Sequence, residues 1–467
     1  MSLTLDEENL IIEKLKDSQV SFWIDSSGGP KDHCNFSSFG TNPKYYFYGF
    51  LNEVNVIDCE SGAISFIKEN CFDFLEEKLS EEKHNPNGVF VGYLAYDLFH
   101  RIEQLGMRSE QSKVNSQSLI LNPQSYKPYP DFVFAYFENS YQQEAGSKKI
   151  MSHASCLMPP AEGEARQGRQ SSCLSPHASI LASNMTDSEY LEKVKQIKEE
   201  IKAGNVYQVN LTREYSLEHL AIDELELYLK LRSTSPNPYG CYFKTPFLSI
   251  LSSSPEEFLY VSNQQHRIEQ LGMRNEQNRL SSQSSILNPK YIRTCPIKGT
   301  LSKDTFVIDP KNQAENIMIV DLERNDLGRI CEYGSIQAKK LLEIESYEHL
   351  NHVVSTIEGK LKKDIKLKEI FEALFPGGSI TGAPKIAAMN IIDKIETTKR
   401  GAYTGSFGYI KTDGTMNFNI LIRTIFIQDD KLIFNIGGGI VADSDPQSEL
   451  EEIHLKAKGI MSALGLS

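Results

Sequence analysis

Apolar and polar residues recur at regular spacing in two regions of this chain. A stretch with little periodicity separates the two regions. Residues 1–137 contain short alternating runs such as PKYYFYGFLNEVNVI and GVFVGYLAYDLF, which are typical of strands. Residues 138–185 are rich in Ser, Ala, Pro, Gly and Gln and predict a flexible surface linker. In residues 186–467 helical and strand patterns follow one another closely, so we expect this part to form the main ordered body.

Two segments of this C-terminal part have clear patterns. TDSEYLEKVKQIKEEIKAGN has apolar residues at helical spacing, Thr186 or Asp187 as a cap and Gly204 as a stop, and therefore predicts a helix. TDGTMNFNILIRTIFIQDDKLIFNIGGGIVADS predicts two strands joined by a short Asp-Asp turn. On the first strand one face holds two asparagines and Arg423, which indicates either a polar cavity or a solvent-facing surface.

A 24-residue segment occurs twice in the chain. HRIEQLGMRSEQSKVNSQSLILNP begins at His100 and recurs as HRIEQLGMRNEQNRLSSQSSILNP from His266, with 18 of 24 positions identical. This spacing is far too long for a solenoid repeat. We interpret the pair as a duplicated insert that lengthens two surface loops, because long loop insertions cost little free energy. A twin binding element is the alternative.

Composition and charge narrow the class of protein. The formal net charge of -13 disfavours nucleic acid and anionic membranes as partners, because no positive field dominates. The eight cysteines form no CxxC pair and are expected to be reduced thiols. The acidic start does not resemble a signal peptide, and no run of about 18 apolar residues is present to span a bilayer. We therefore expect a soluble cytoplasmic protein.

Acidic side chains at helical spacing are the first candidates for chemistry. In NQAENIMIVDLERNDLG, Glu315 lines up with apolar residues three, four and seven positions later, and a carboxylate on a buried stripe needs a compensating cation or metal ion. In DPQSELEEIHLKAKGI, Glu449, Glu452 and Lys456 share one face of a predicted helix. Glutamates from two separate helices would suit Mg²⁺, which binds few protein carboxylates. Ordinary salt bridges are the alternative at both places.

The other candidates lie in predicted turns and at strand ends. FPGGSITGAPKIAAMNIIDKIE is a glycine run leading into a helix that starts near Pro384, and is either an anion site or a plain capping turn. RTCPIKGT places Lys298 in a predicted tight turn, where a lysine has no conformational role. This lysine is either a desolvated amine nucleophile or a surface side chain. Glu256 in SSSPEEFLYV and Gln208 in GNVYQVNL add polar groups near strand ends.

Ten segments, in this order, resemble the chorismate-utilising enzyme family. The resemblance covers most of residues 186–463 and, more weakly, residues 20–137. It implies a layered α+β fold with two large facing antiparallel sheets and helices outside. Residues 186–467 would be the chorismate-binding catalytic domain, with a loop insert at about 264–289, and residues 1–137 would be an N-terminal subdomain that completes the sheets. The segments are GNVYQVNLTREYS, SSSPEEFLYV, RTCPIKGT, AENIMIVDLERNDLGRI, HLNHVVSTIEG, LFPGGSITGAPKIAAM, RGAYTGSFGYI, FNILIRT, GGGIVADS and ELEEIHLKAKGI.

Two positions within these segments imply the reaction. Family members that add water to chorismate have a lysine base where this chain has Gln208, so the resemblance is to members that use ammonia. Members that form anthranilate have alanine in the PI-x-GT turn, whereas members that aminate C4 frequently have lysine, here Lys298. The implied reaction is Mg²⁺-dependent amination of chorismate to 4-amino-4-deoxychorismate through a Lys298 adduct, on the route to 4-aminobenzoate and folate. Anthranilate formation and a non-catalytic regulatory relative are the alternatives.

The resemblance also implies roles for the remaining site residues. Glu256 would be the general acid for the departing C4 hydroxyl, assisted by His352. Glu315 and Glu452 would be direct Mg²⁺ ligands, and Glu449 would hold metal-bound water. Arg423 and Tyr403 would hold the enolpyruvyl carboxylate of the substrate. The complete set expected to bind substrate is Gln208, Thr381, Gly382, Tyr403, Arg423, Gly438, Gly439 and Lys456.

The resemblance finally implies partners. The N-terminal part of relatives holds a tryptophan pocket, and Ser26 in FWIDSSGGP is the candidate contact for bound tryptophan. Neither end of this sequence has room for a glutamine amidotransferase unit, whereas amination requires ammonia. We therefore expect a separate glutaminase subunit of the same synthase to supply it.

Overall fold

The computed structural model describes residues 5–16, 18–25, 36–98, 130–144, 181–218, 222–262, 291–347 and 350–466. Within these ranges the strands form two large antiparallel sheets with helices against them, which confirms the fold class implied by the resemblance. Ser26, the insert at 264–289, most of the predicted linker and both copies of the 24-residue segment lie outside the described residues.

The helices are α1 (Leu5–Lys16), α2 (Cys71–Glu81), α3 (Asp187–Lys202), α4 (Glu224–Thr234), α5 (Pro310–Ile330), α6 (Leu367–Leu374), α7 (Lys385–Ile395) and α8 (Pro446–Leu464). Short 3-10 turns are formed by Glu82–His84 and Gly378–Ile380.

The strands of the first sheet are β1 (Ser21–Asp25), β2 (Phe36–Thr41), β8 (Tyr141–Glu144), β9 (Ala182–Ser183), β10 (Gln208–Glu218), β11 (Tyr239–Lys244), β12 (Ser249–Ser254), β18 (Gly382–Ala383), β21 (Thr424–Gln428) and β22 (Lys431–Ile440). Their order is β18-β10-β22-β21-β12-β11-β1-β2-β8, with β9 beside β10.

The strands of the second sheet are β3 (Tyr45–Phe50), β4 (Glu53–Asp58), β5 (Ile64–Ile67), β6 (Val89–Leu94), β7 (Phe132–Phe137), β13 (Glu257–Ser262), β14 (Tyr291–Cys295), β15 (Ile297–Ser302), β16 (Gln337–Ser346), β17 (Leu350–Lys360), β19 (Ser406–Lys411) and β20 (Met416–Asn419). Their order is β15-β17-β14-β13-β20-β19-β6-β7-β3-β4-β5, with β16 beside β17.

Three hydrophobic clusters hold these layers together. One contains side chains from both sheets, such as Phe243 from the first and Val91 from the second, and therefore fills the space between them. A second packs the first sheet against α3, α4, α7 and α8. The third packs the second sheet against α2, α5 and α6. The strands before residue 138 enter both sheets, as expected of a subdomain that completes them, while the domain boundaries stay a prediction.

Helix α3 forms where the sequence predicts it. Thr186 is the N-cap and exchanges capping-box hydrogen bonds with Glu189, which satisfies amide groups that a helix start leaves unpaired. The apolar residues at helical spacing are buried against the first sheet. Gly204 follows the last turn with a φ of 80°, a conformation that favours glycine.

The predicted strand over residues 416–428 is instead two strands, and the prediction of one continuous strand is wrong. β20 pairs with β13 and β19 in the second sheet, whereas β21 pairs with β12 and β22 in the first. Residues 420–423 carry the chain across from one sheet to the other, and Arg423 at the end of this crossing has a φ of 51°. Periodicity continues through the break, so it could not reveal a change of sheet.

The predicted tight turn around Lys298 is also different in the structure. β14 and β15 both pair with β17, and Pro296 lies between them, so the segment is an interrupted strand with an irregular register. Gly299 has a φ of 100° at this irregularity. Proline and glycine therefore mark a bulge, which re-aims neighbouring side chains.

Candidate active site

The predicted site residues lie on separate parts of the chain that the fold brings close together. Gln208 begins β10, Lys298 lies on β15, and Glu315 lies in the second turn of α5. Arg423 ends the crossing between the sheets. Glu449 and Glu452 lie in the first two turns of α8, which follows the glycine-rich end of β22.

Lys298 joins β15 to the turn at Gly378–Ile380. Its ammonium nitrogen donates to the backbone oxygen of Ser379 at 2.8 Å. Burial lowers the pKa of Lys298 from its usual value, while the carboxylates of Glu315 and Glu256 act in the opposite direction. A buried lysine whose pKa is lowered has more neutral amine near pH 7, so it is a stronger nucleophile than a surface lysine.

Gln208 is fully buried, and neither atom of its carboxamide makes a hydrogen bond with any described residue. Gly439 and Gly382 have no Cβ atom and so leave room for Gln208. A Cβ atom on Gly439 would come closer than 3.0 Å to the Gln208 amide nitrogen, and it would lie 3.6 Å from the Lys298 nitrogen. Gly382 has a φ of 145° and pairs with Val209 beside it. The unsatisfied amide and the lysine amine therefore face the same point of β22.

Glu256 lies immediately before β13 and is buried. Burial raises its pKa, and this effect is opposed by the nearby Ser379 hydroxyl, Lys298, the Ile297 N–H and Arg423. Its Oε1 accepts a long hydrogen bond of 3.4 Å from the Ile297 N–H. A carboxyl whose pKa is raised holds its proton to higher pH and is suited to act as a general acid.

His352 is buried on β17, opposite Thr300 of β15. Burial lowers its pKa well below the usual value, and the positive charges of Arg423 and Lys456 lower it further. The Tyr347 ring lies edge-on at 5.0 Å between centroids. His352 is therefore a neutral imidazole near pH 7, which can donate or accept a hydrogen bond but carries no charge.

Three carboxylates face two lysines beside this group. Glu449 is buried, and its Oε1 accepts hydrogen bonds from Lys311 at 3.0 Å and Ser444 at 2.6 Å. Glu315 lies 3.9 Å from the same Lys311 nitrogen. Burial raises the pKa of Glu315, and Glu449 and Glu452 raise it further against the effect of Lys298 and Lys311.

Glu452 is the third carboxylate of this acidic group, and its side chain is more exposed than those of Glu449 and Glu315. It pairs with Lys456 at 2.6 Å, and Lys456 chiefly lowers the pKa of Glu452. Lys456 also donates to the backbone oxygen of Gly437 at 3.2 Å. The salt bridges that were the alternative interpretation are thus present, with lysine ammonium groups as the cations.

The described ranges contain no group of three or more His, Cys, Asp or Glu side chains arranged to hold a metal ion. The donor set nevertheless suits Mg²⁺, which usually binds one or two carboxylates and completes its coordination with substrate and water oxygens. Glu315 fits this requirement best, because it is largely buried and no short ion pair neutralises it. A divalent cation here would offset the mutual repulsion of the three carboxylates.

The predicted contacts to the substrate carboxylate come from two connected segments. The Arg423 guanidinium makes no hydrogen bond or ion pair with the described residues, and burial lowers its pKa. Tyr403 is buried between the sheets, and burial raises its pKa. The adjoining Thr404 N–H donates to the Leu421 oxygen at 2.9 Å, which ties this loop to the crossing. An unpaired guanidinium is available for bidentate binding of a carboxylate.

The loop from Gly377 to Gly382 is held by Thr381, which is fully buried and donates to the Gly377 oxygen at 2.9 Å. The helix that follows begins after Pro384, as predicted. The backbone N–H of Asn210 donates to the Thr381 oxygen at 2.8 Å. Gly438 lies opposite Leu211 in β22, and a Cβ atom there would lie 3.6 Å from a Glu449 oxygen.

Sequence reasoning missed one buried cation that holds the site together. Arg400 forms an ion pair with Glu396 at 2.7 Å, and it also donates to the backbone oxygens of Ile380 and Asn210, each at 2.9 Å. It therefore fastens the glycine-rich loop to β10. The spacing of four residues between Glu396 and Arg400 was visible in the sequence, but such pairs usually lie on exposed surfaces.

Sequence reasoning also missed Glu323. The prediction for α5 lined up Glu315 with an apolar stripe of Met318, Ile319 and Leu322. The residues buried by α5 are instead Asn316, Ile319, Val320, Glu323, Asp326, Leu327 and Ile330. The true stripe is thus rotated by about one residue. Glu315 lies at its edge, and Glu323 lies within it. Glu323 lies four residues after Ile319 and therefore on the same helix face, and this spacing could have predicted its burial.

Comparison with known proteins agrees with this fold. The sequence pattern of a family described as chorismate binding enzyme matches residues 32–271 and 286–462. This chain belongs to that family of enzymes. No helix in the described ranges is long and apolar enough to cross a membrane.

Individual relatives cover most of the chain. Aminodeoxychorismate synthase component 1 of Bacillus subtilis is 32% identical over 412 residues, which are 85% of this chain and 81% of the relative. Chloroplastic aminodeoxychorismate synthase of Arabidopsis thaliana is 30% identical over 95% of this chain, which spans only 50% of that relative. The crystal structure of anthranilate synthase component I from Streptococcus pneumoniae has a TM-score of 0.71 at 25% identity, covering 91% of this chain and 92% of the other.

Proposed function

We propose that this chain is the chorismate-aminating component of an aminodeoxychorismate synthase, which replaces the C4 hydroxyl of chorismate with an amino group. The observation that carries this proposal is Lys298, a desolvated amine with a lowered pKa beside the protonatable carboxyl of Glu256. Relatives named aminodeoxychorismate synthase component 1 support the same assignment.

The reaction has two balanced halves. In the first, the neutral amine of Lys298 forms a bond to ring carbon C2, the C4–O bond breaks, and Glu256 donates a proton so that water leaves. The amine proton that becomes acidic on attack returns to the Glu256 carboxylate. In the second half, ammonia forms the C4–N bond, the C2–N bond to Lys298 breaks, and a proton lost by ammonia restores the lysine amine. The sum is chorismate plus ammonia to 4-amino-4-deoxychorismate plus water.

The other residues bind and orient the substrate. Arg423, whose guanidinium makes no hydrogen bond or ion pair with the described residues, would hold the enolpyruvyl carboxylate together with Tyr403. His352, neutral near pH 7, would donate or accept a hydrogen bond near C4. The buried amide of Gln208 would contact the reacting face, where an uncharged side chain cannot deprotonate water as a lysine base could.

The remaining contacts would come from the loop residues Thr381 and Gly382, the backbone amides of Gly438 and Gly439, and Lys456. Mg²⁺ would be held by Glu315 and Glu452, with Glu449 holding metal-bound water, and when bound it neutralises charge on the ring carboxylate. The lysine partners of these carboxylates would then reorient.

Ammonia would come from a separate glutaminase subunit, and the product would serve 4-aminobenzoate and folate synthesis. The name component 1 of the Bacillus subtilis relative supports a second component. This chain spans half of the Arabidopsis relative, and the other half of that relative could hold the activity that supplies ammonia. Tryptophan binding at Ser26 stays a prediction, because Ser26 lies outside the described residues.

The decisive experiment is product identity with purified protein, chorismate, Mg²⁺ and ammonium at alkaline pH. We expect 4-aminobenzoate after addition of its lyase, and loss of that product in Lys298→Ala. Lys362→Ala is the matched control, because Lys362 also donates to a backbone oxygen but is exposed, two residues beyond the end of β17. Fluorescent anthranilate from the wild type would instead show amination at C2 and refute the proposal.

A further inference from the structure

A second buried carboxyl, Glu323, lies beside the general acid and is not used by the reaction described above. Its exposed fraction is only 8%, and its Oε2 atom makes no hydrogen bond with any residue in the described ranges. Burial raises the pKa of Glu323 to about 8, and the charge of Glu256 contributes to the increase. A buried acid with an unsatisfied oxygen is costly as an anion and is stable when it holds a proton.

The turn at Gly378–Ile380 connects the two carboxyls. A Cβ atom on Gly378 would lie 3.8 Å from Cγ of Glu323, and the next residue, Ser379, has its hydroxyl beside Glu256. Consecutive residues of one turn therefore lie next to the two acids. The Thr294 hydroxyl also lies beside Glu323. Thr294 belongs to β14, which pairs with β13, the strand that begins directly after Glu256.

The charged groups around the pair are few and unevenly placed. Glu323 faces Asp326 of its own helix and Lys385 of α7, but these two form a 2.6 Å ion pair with each other. Lys298 and Arg423 face Glu256 instead. The positive charge is thus concentrated on the Glu256 side, where it favours the carboxylate anion, so Glu323 keeps its proton to higher pH than Glu256 does.

We propose that Glu323 is a positioning residue that holds a second proton beside Glu256 and passes it to Glu256 after each transfer to the departing C4 oxygen. Both carboxyls begin protonated. Glu256 gives its proton to the leaving hydroxyl, the Glu323 proton moves to the Glu256 carboxylate, and the amine proton released on attack restores Glu323, so that this proton is returned to Glu256 by way of Glu323. No electron transfer or additional reactant is required. This inference rests on the proposed function for the role of Glu256.

The test is the pH dependence of chorismate consumption by wild type, Glu323→Gln and Glu323→Asp, with free NH₃ held constant at every pH. Without a second carboxyl to hold the proton, the alkaline decline of kcat in Glu323→Gln should begin about one pH unit lower. At pH 8 this corresponds to a loss of about tenfold. The KM for chorismate should not change, and Glu323→Asp should recover part of the shift.

Glu214→Gln is the matched control. Glu214 is a half-buried glutamate whose pKa is also raised by burial, and it lies six residues along β10 from Gln208. Its profile should superimpose on that of the wild type. A Glu323→Gln profile that also superimposes, or a variant that changes KM without moving the alkaline limb, would show that Glu323 is only structural.

A measurement without turnover separates this inference from the proposed function. Infrared difference spectra of the wild type, titrated without substrate, should contain a protonated carboxyl band that disappears around pH 8 and is absent in Glu323→Gln. No such band in the wild type would overturn the inference. If the band is present but the wild type consumes no chorismate, the proposed function fails while the proton held at Glu323 is supported.

Discussion

Substitution of Gly439 by alanine tests how closely β22 and Gln208 fit together. An added Cβ atom would lie under 3.0 Å from the Gln208 amide nitrogen and 3.2 Å from its Cδ, so the amide must retreat until the separation is at least 3.4 Å. Gln208 is fully buried at the start of a strand paired on both sides, which leaves it little room to move. Overpacking of this kind costs about 1–3 kcal/mol of unfolding free energy.

The effect on activity should exceed the effect on stability. The displaced amide lies at the point that Lys298 also approaches, and the new methyl group would be 3.6 Å from the lysine nitrogen. A misplacement of about 1 Å can reduce a rate by about 100-fold. We therefore expect Gly439→Ala to lower kcat/KM by about that factor, measured as chorismate consumption with Mg²⁺ and ammonium, alongside urea unfolding.

The neighbouring glycine provides the control. A Cβ atom on Gly438 would meet only a Glu449 oxygen at 3.6 Å, an ordinary contact, so Gly438→Ala should change stability by about 0.5 kcal/mol or less. Adding Gln208→Ala to Gly439→Ala removes the clash and should restore stability without restoring activity. If Gly439→Ala is as stable and active as the wild type, or the double variant keeps the full loss of stability, the proposed clash with Gln208 is wrong.

Three further predictions test other parts of the site. Arg400→Met leaves Glu396 buried without its ion pair and should cost about 3–5 kcal/mol in urea unfolding, and an unchanged midpoint would contradict the role assigned to Arg400. Burial lowers the pKa of Lys298 in the folded protein, so at pH values between the folded and unfolded pKa the unfolded chain binds more protons than the folded protein does. The free energy of unfolding should therefore rise with pH in this interval. Lys298→Met should remove that slope, and an equal slope in both proteins would refute the burial argument. Glu315→Gln should raise the Mg²⁺ concentration that gives half-maximal rate at least about tenfold. Glu451→Gln, at an exposed glutamate of α8, is the control and should not change it. Equal Mg²⁺ titration curves for the wild type and Glu315→Gln would exclude Glu315 as a ligand.

Local elements of the fold were predictable because their causes are local. The cap at Thr186, the stop at Gly204 and the helix start at Pro384 depend on hydrogen bonds and dihedral angles within a few residues. The fold class and candidate residues followed from the resemblance, which the family match supports. The change of sheet between β20 and β21 was not predictable, because apolar residues alternate without interruption across it.

The sequence by itself determined which chemical groups this protein has: an amine at Lys298, an acid at Glu256, and glutamates at helical spacing. Only the tertiary structure decided which of them meet, because contact is set by the packing of two sheets and not by distance along the chain. Lys298 contacts a residue 81 positions away, and Lys311 reaches a glutamate 138 positions away. Burial, which lowers the pKa of Lys298 and raises that of Glu323, likewise exists only once the layers have packed.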